Sequence, residues 1–380
     1  MNELNWIIAF SVVGLTPMAW LLPGRWQLPT VSVLTAGFML VASPLSALSL
    51  LLTASLSYGL FRLKSLTPAW RVVLSISQSV LVWIIFKSEW PMHQGWQTTV
   101  GVPLGLSYYT FRQIHYAIER YKQTLPVHDF ADYLTYLFFL PTLLIGPINR
   151  FPDFYRDSRR RRWDAVLFST GLERILYGYA KIVLIGNMLL TNKLAHIIYT
   201  LQPNHPSLAS YLSLIRFATN AYIQFAGFSD VAIGLSLLIG IRVPENFESP
   251  FLASNLNEFW KRYHISLSSW CRDYVFTPLL SLTRQPVLAT LGAMLVLGLW
   301  HEWSSQYLVW GALQGLGVLI WHRFKRPSGE AKTAQPAWHS NVMHGLGVLI
   351  TFHYFCLTCL VIQKNNWQAV GQTLTQLFAR

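Results

Sequence analysis

The sequence predicts an all-α, polytopic membrane protein, and three observations support that fold class. Of the 380 residues, 53% are hydrophobic and only 12% are charged, about half the roughly 25% charged share of an ordinary soluble domain. Long apolar runs recur from end to end, separated by proline, glycine or basic residues. Because a helical span needs about 20 apolar residues, these runs predict roughly ten membrane segments, some of them short, tilted or re-entrant.

We expect residues 1–380 to form a single integral membrane domain. Residues 1–100 are predicted to be N-terminal scaffold spans, beginning with a retained span from Trp6 to Leu22. Residues 101–321 hold the segments with unusual polar content. Residues 322–380 are predicted to form a cytoplasmic basic loop and a C-terminal span. The scaffold helices are expected to break at four prolines, which cannot donate a backbone hydrogen bond: Pro17, Pro23, Pro29 and Pro44.

The formal net charge of +13 is better explained by the membrane than by nucleic acid, which we exclude as a partner. The basic residues cluster beside span ends, and loops of that kind face the cytoplasm. The loop from Lys87 to Gln97 has little positive charge and contains Trp90, His93 and Trp96. This composition suits the side of the membrane opposite the cytoplasm. The run from Arg159 to Arg162 is expected to contact anionic lipid headgroups rather than substrate.

Several segments are predicted to interrupt the regular spans. An apolar stretch over residues 130–144 ends at Gly146-Pro147, where a helix should break and line a funnel or cavity wall. A polar patch over residues 191–206 should emerge from the membrane. Ser107 and Thr110 share one face of a helix, and hydrogen bonding between helices is the favoured interpretation of both hydroxyls.

Residues 211–310 carry most of the chemistry. Gln224, Ser229 and Asp230 lie in an apolar setting, where a carboxylate is costly unless it is paired or wetted. Residues 241–250, with two prolines and two acids, should leave the membrane. Residues 257–273 interleave charges with aromatic side chains, which favours one amphipathic helix at the interface.

Two histidines are the principal candidates for chemistry. His301 follows Leu-Gly-Leu-Trp in an apolar run, and His264 lies in the aromatic and basic segment. A titratable group at membrane depth indicates a functional site, here proton transfer. The structural alternatives are a backbone carbonyl as partner of His301, and Glu258 or Asp273 as partner of His264. Cys271, Cys356 and Cys359 offer neither a disulfide framework nor a metal site.

These segments together resemble the membrane-bound O-acyltransferase family over residues 101–321. The resemblance lies in the order and spacing of six motifs: Ser107-Tyr-Tyr-Thr-Phe111, Gly146-Pro-Ile-Asn-Arg150, Phe225-Ala-Gly-Phe-Ser-Asp230, Pro244-Glu-Asn-Phe247, Glu258-Phe-Trp-Lys-Arg-Tyr-His264, and Leu299-Trp-His-Glu-Trp303. The chain looks most like the bacterial branch that includes the alginate O-acetyltransferase membrane subunit and the teichoic acid D-alanyl transfer protein. Glu302 stands where the family usually has glycine, and Tyr263 where tryptophan is commoner.

The resemblance implies helices around a central funnel or tunnel in the bacterial inner membrane. There, a short acyl group, which we expect to be acetyl, would pass from a cytoplasmic thioester donor to a hydroxyl of an envelope polysaccharide, glycolipid or partner protein. The donor would be acetyl-CoA or a phosphopantetheinyl carrier protein, acting as co-substrate rather than as a tightly bound cofactor. An acyl carrier protein, an extracytoplasmic acyltransferase and membrane lipids are the implied partners.

The same resemblance matches the family's two histidines to His264 and His301 and places the general base at His301. Residues proposed to bind substrate or line the tunnel are Asn257, Ser266, Ser229, Asp230, Gln224, Thr110 and Trp300. Two alternatives stay open: D-alanyl transfer to an envelope polymer, and a transporter or lipid-moving channel built around intramembrane Asp230 and His301.

Overall fold

A computed structural model describes residues 2–87, 103–324, 337–364 and 366–378. The described chain is helical with no sheet, which confirms the predicted fold class. Five of its helices are long and apolar enough to cross a membrane: Leu4–Leu21, Pro68–Lys87, Ala165–Leu201, Pro206–Leu238 and Asn341–Gln363. Two shorter apolar helices are Pro44–Leu60 and Pro286–His301. The predicted aromatic loop with Trp90, His93 and Trp96 lies outside the described residues.

The α-helices, numbered in chain order, are α1 (Asn2–Ala9), α2 (Thr16–Leu21), α3 (Gly24–Ala42), α4 (Pro44–Leu60), α5 (Pro68–Lys87), α6 (Leu106–Tyr121), α7 (Phe130–Leu137), α8 (Phe151–Arg160), α9 (Ala165–Ala180), α10 (Ala195–Leu201), α11 (Pro206–Leu238), α12 (Leu256–Arg262), α13 (Ile265–Cys271), α14 (Thr277–Thr283), α15 (Pro286–His301), α16 (Ser305–Phe324), α17 (Ala337–Gln363) and α18 (Trp367–Phe378). The sequence did not predict α18.

The chain divides into two compact units. The first comprises residues 1–179 and 227–245, and the second comprises residues 180–226 and 246–380. The core of the first unit is rich in buried aromatic rings, including Tyr116, Tyr133 and Phe151. Tyr116 stacks on Tyr133 with ring centroids 4.0 Å apart and meets Phe151 edge-on.

Two of the four proline breaks are confirmed and two are wrong. Pro23 precedes α3 and Pro44 begins α4, as predicted. Helix α3 continues through Pro29, at the loss of one backbone hydrogen bond. At Pro17 the helix widens instead of breaking: the π-helical turn Phe10–Leu15 joins α1 to α2, and the Thr16 hydroxyl donates to the carbonyl of Ser11.

The predicted polar patch at residues 191–206 is mostly helical. A π-helical segment, Lys181–Leu194, continues α9 into α10, which ends at Leu201. The Thr191 hydroxyl donates to the Gly186 carbonyl at 2.8 Å. The Thr191 hydroxyl therefore bonds to its own helix and does not mark the end of that helix.

The segment after α7 confirms the predicted non-helical backbone, but the break comes earlier than Gly146-Pro147. Helix α7 ends at Leu137, and a single 3₁₀ turn, Leu140–Thr142, leads into irregular backbone. Gly146 has φ of 142°, a conformation that favours glycine, and a Cβ there would lie 2.6 Å from the Cβ of Ala232.

Two buried side chains of α6, one turn apart, hold this irregular segment in place. The Arg112 guanidinium is fully buried and donates to the carbonyls of Tyr136 (3.1 Å) and Thr142, at and beyond the carboxyl end of α7. His115 Nε2 accepts from the backbone N–H of Phe151 at 3.0 Å, at the start of α8. Both interactions satisfy helix-terminal groups that have no partner within their own helix.

Helices α9 and α11 cross closely in the first unit because glycines face each other at two levels. A Cβ on Gly178 would lie 2.5 Å from the Gly227 carbonyl oxygen, and a Cβ on Gly234 would lie 2.5 Å from that of Gly171. Both pairs are seven residues apart, so small residues line one face of each helix over two turns.

Replacing Arg112 tests the role of this cation. In Arg112→Met, the carbonyls of Tyr136 and Thr142 lose their charged donor, and we expect the free energy of unfolding to fall by about 2 kcal/mol or more. The measurement is the thermal midpoint of the purified protein in detergent. Arg120→Met is the matched control, since Arg120 is exposed at the end of the same helix. Equal midpoints for the two variants would contradict the assignment.

Candidate active site

His301 is the last residue of α15, at a tight turn into α16. Glu302 is extended, with φ of −160°, and α16 begins at Ser305. The two helices lie close together because glycines face each other: a Cβ on Gly311 would lie 2.5 Å from the Met294 carbonyl oxygen, and one on Gly298 would clash with the Tyr307 carbonyl. The turn therefore leaves His301 half-buried at the end of a closely packed helix pair.

Aromatic rings surround the His301 imidazole. Tyr307 stacks on it with ring centroids 5.6 Å apart, Trp310 meets it edge-on at 5.6 Å, and Trp300 contacts it at 4.5 Å. Tyr307 and Trp310 lie on the first two turns of α16, so the glycine contacts that bring the helices together also place both rings on His301.

His264 lies at a break between two short helices, which corrects the prediction of one amphipathic helix over residues 257–273. Helix α12 ends at Arg262, and α13 begins at Ile265. The His264 backbone is left-handed, with φ of 48° and ψ of 53°, which costs a non-glycine residue about 1–2 kcal/mol. The surrounding structure must therefore hold it there, and such strain is typical of functional sites.

Asn246 holds His264 in this conformation. Its backbone carbonyl accepts from the Ile265 N–H at 2.9 Å, and the neighbouring Glu248 N–H donates to the Arg262 carbonyl at 2.9 Å. The fully buried Asn246 side chain accepts through Oδ1 from His264 Nδ1 (3.1 Å) and from the Ser266 hydroxyl (2.9 Å) and backbone N–H (3.3 Å). One asparagine thus fixes both the backbone and the ring of His264.

These contacts define the tautomer of His264. A backbone N–H can only donate, so the bond from the Ser266 N–H identifies the Asn246 atom as the amide oxygen. His264 Nδ1 must therefore carry a proton, and Nε2 of the neutral ring has a lone pair. Nε2 is buried and has no hydrogen-bond partner among the described residues. Its lone pair is therefore an unsatisfied acceptor.

Electrostatics keep His264 neutral. Burial, and to a smaller extent the nearby His301, lower the pKa of His264 well below its ordinary value of 6.5. Trp300 contacts both histidines, with ring centroids 5.3 Å from His264 and 4.5 Å from His301. The structure thus brings together the two histidines that the sequence singled out. The structural alternative of a carboxylate partner for His264 is wrong: Glu258 binds Arg262 and the Ser254 hydroxyl, and His264 pairs with an amide.

Asn257 lines a cavity of about 410 Å³ in the second unit. Three exposed basic side chains, Lys261, Arg272 and His322, line it, and most of its lining is apolar. Met294 and Leu297 line it as well, and these two residues share one face of α15 with His301, at i, i+3 and i+7. The cavity therefore follows the helix face that ends at His301.

The other predicted site residues have the following contacts. Ser266 is bound to Asn246, and the Gln224 amide donates to Asn187 Oδ1 at 2.7 Å. In the first unit, the Thr110 hydroxyl donates to the Leu106 carbonyl of its own helix at 2.7 Å, which contradicts the favoured bond between helices. Ser107 does bond between helices, accepting from Trp83 Nε1 at 3.2 Å.

Ser229 and Asp230 are buried near the middle of the first unit's α9–α11 crossing. Asp230 pairs with Arg174 at 2.7 Å, and Arg174 also binds Glu245 at 2.7 Å. The expected cost of the buried carboxylate is thus offset by a charged partner.

Sequence reasoning missed Asn246 and the facing glycines of α15 and α16. Asn246 lies within the Pro244-Glu-Asn-Phe247 motif, so the signal was present, although no single-residue pattern assigns it to His264. The described residues contain no group of three or more histidine, cysteine or acidic side chains that could hold a metal ion. Cys356 and Cys359 are buried on α17.

Comparison with known proteins identifies the class of protein that this fold and site define. The profile of the membrane-bound O-acyltransferase family matches residues 32–363, and the chain belongs to that family. It is therefore an integral membrane protein of an acyltransferase family, which favours the enzyme over the transporter alternative.

Three relatives illustrate the range of the family. The chain is 32% identical to "Probable alginate O-acetylase AlgI" of Pseudomonas aeruginosa, over 74% of this chain and 52% of that protein. It is 32% identical to "Teichoic acid D-alanyltransferase" of Streptococcus thermophilus, over 74% and 72%. It is 25% identical to "Peptidoglycan O-acetyltransferase" of Helicobacter pylori, over 72% and 56%. The chain spans about half the length of the alginate O-acetylases that it matches.

Asn246→Asp tests whether Asn246 positions His264 for chemistry. A carboxylate at this position keeps an acceptor for Nδ1 but favours the imidazolium, so it raises the pKa of His264. On acidification, the His264 ring of this variant is therefore protonated at a higher pH than in the wild type. We expect the acid limb of the pH–rate profile for acyl incorporation to move to higher pH. Asn246→Leu, which has no acceptor, should lower the rate at least about tenfold at every pH.

The control for both variants is Asn204→Asp, at an exposed turn. A merely structural role of Asn246 predicts a lower thermal midpoint with an unchanged acid limb, and that result would contradict the assignment.

Gly311→Val tests the close packing of α15 and α16. The added side chain would meet the Met294 carbonyl, so the helices must separate and His301 loses its contacts with Tyr307 and Trp310. We expect a destabilisation of about 1–3 kcal/mol, measured from the thermal midpoint, and acyl incorporation lowered at least about tenfold. Gly37→Val on α3 is the control, because nothing lies within 4 Å of a Cβ there. Full activity in Gly311→Val would contradict the role of close helix packing in positioning His301.

Proposed function

We propose that this protein transfers a short acyl group, acetyl, from a thioester donor at the cytoplasmic face of the bacterial inner membrane to a hydroxyl of a cell-envelope polysaccharide, glycolipid or partner protein. The observation that carries the proposal is the pair of imidazoles that both contact Trp300, one of them with a buried acceptor nitrogen that has no partner among the described residues. Relatives named for acetyl transfer to alginate and peptidoglycan support the choice of acetyl.

The reaction needs a proton acceptor beside the attacking hydroxyl. In the proposed step, His301 takes that proton while the hydroxyl oxygen bonds to the thioester carbonyl carbon. The tetrahedral intermediate then breaks its C–S bond, and the proton passes to the leaving thiolate. A positioned base of this kind contributes about 10²- to 10⁴-fold to the rate. His301 is half-buried at a helix end, whereas His264 is 2% exposed, and this difference supports His301 as the group that meets the incoming alcohol.

The cavity lined by Asn257 supports entry of the donor from the basic side. Helix α16 carries both Tyr307, which stacks on His301, and His322, which lines the cavity. The two residues are separated by a rise of about 22 Å along the helix at 1.5 Å per residue. The basic side chains of the cavity suit the phosphates of coenzyme A or of a phosphopantetheinyl carrier protein. The apolar walls of the cavity suit the arm that carries the thioester. An extracytoplasmic acyltransferase as a further partner remains part of the proposal.

Replacing each histidine by glutamine tests the assignment of roles. We expect His301→Gln to lower labelled acetyl incorporation into envelope polymers about 10²- to 10⁴-fold, because glutamine cannot take up the proton. His264→Gln should lower it less. His344→Gln, at an exposed position on α17, is the control. Wild-type rates in His301→Gln at normal protein levels would overturn the proposal, and a larger loss in His264→Gln would transfer the role of base to His264.

The mass of the group added to envelope polymers identifies the acyl group. We expect acetyl esters in cells that make this chain and none in cells that make His301→Gln. Alanyl esters would instead support the D-alanyl alternative, for which relatives named teichoic acid D-alanyltransferase are the precedent.

A further inference from the structure

A second cavity, of about 380 Å³, lies in the first unit and is lined by four arginines. Arg160 is the last residue of α8, Arg161 and Arg162 follow it, and Arg242 lies beyond the end of α11. This cavity is built by parts of the chain that are about 80 residues apart in sequence, so the fold, and not the arginine run alone, concentrates the charge.

The carboxylates of this cavity are engaged elsewhere. Asp164 Oδ1 accepts from the backbone N–H groups of Val166 (2.9 Å) and Leu167 (3.1 Å) and so caps the start of α9. Asp157 pairs with Arg156 at 3.4 Å. Within the described part of the chain, no ion pair joins a carboxylate to any of the four arginines. Four arginines and two aspartates line the cavity, so it keeps an excess of positive charge.

Arg161 is the fixed member of the group. Its guanidinium lies 4.4 Å from the centroid of the Trp20 ring, and its Nη2 donates to the Ala19 carbonyl. Its Nε and Nη1 are buried with no hydrogen-bond partner among the described residues. Burial lowers the pKa of Arg161 to about 10, which shows that the charged form is destabilised by lost hydration. An anion in the cavity would restore both the missing acceptor and the charge balance.

The surrounding residues place this cavity at the level of lipid headgroups. Three helices apolar enough to span a membrane begin or end beside it: Leu4–Leu21, Ala165–Leu201 and Pro206–Leu238. Trp20 and Trp163 pack edge-to-face at 5.2 Å, and Trp163 is 57% exposed. Exposed tryptophan beside span ends is typical of the membrane interface.

We propose that this cavity is a binding site for a phosphate group, namely the phosphodiester of an anionic phospholipid headgroup. Guanidinium groups match phosphate oxygens through paired hydrogen bonds, and several arginines around one anion are a common arrangement for phosphate recognition. The site is independent of the acyl-transfer chemistry, and its occupancy fixes the ends of the adjoining helices at the membrane surface. A soluble phosphate would be recognised by the same chemistry.

Native mass spectrometry of the full chain in detergent tests this site. We expect the wild-type protein to retain phosphatidylglycerol about tenfold better than phosphatidylcholine, and the triple variant Arg160→Gln, Arg162→Gln, Arg242→Gln to lose that preference. The control variant Arg62→Gln, Lys64→Gln, Arg120→Gln removes the same charge from exposed positions elsewhere and should behave as wild type. Should the triple variant fail to fold, the single variant Arg242→Gln should still weaken the preference severalfold.

Inorganic phosphate is the second probe. If phosphate displaces phosphatidylglycerol from the wild type but not from the triple variant, the shared phosphate chemistry is supported. If phosphate binds and no lipid is preferred, the site takes a soluble phosphate. The proposal is overturned if the triple variant and the wild type retain phosphatidylglycerol equally, or if neither phosphatidylglycerol nor inorganic phosphate binds preferentially to the wild type.

Discussion

Polar groups buried away from water require partners. In this chain, buried side chains supply partners to the backbone groups at the ends of interrupted helices. Arg112 donates to carbonyls at and beyond the end of α7, and His115 accepts from the first N–H of α8. In the second unit, the Asn246 side chain accepts three hydrogen bonds at the break between α12 and α13. In each case a side chain satisfies groups that a broken helix leaves open, so irregular backbone persists within a helical protein.

This requirement also explains how the candidate active site is held. His264 would leave its left-handed conformation if the Asn246 contacts were absent, because no glycine-like freedom is available to it. His301 depends on a different constraint, the close approach of two helices through facing glycines. Hydrogen bonds to Asn246 position one imidazole, and close helix packing positions the other. The ring of Trp300 contacts both imidazoles.

The sequence predicted the helical fold class, the two histidines and the interruptions near Gly146 and residues 241–250, because composition and proline or glycine patterns report on them directly. It failed where tertiary context decides. Pro17 was expected to break a helix, yet the π-helical turn Phe10–Leu15 leads directly into the helix that contains it. The break at His264 has no proline or glycine to announce it, since hydrogen bonds to Asn246, 18 residues earlier, produce it. Pairings of that kind depend on the folded backbone and leave no local pattern.

The positive φ of His264 has a consequence for the history of such chains. Glycine or asparagine would suit this backbone better than histidine, so drift without selection on catalysis should replace the imidazole and make the protein more stable. A lineage that keeps histidine here has a less stable protein than one with glycine or asparagine at the same position. Under the proposed function, the residue at this position should therefore separate homologues that transfer acyl groups from homologues that do not.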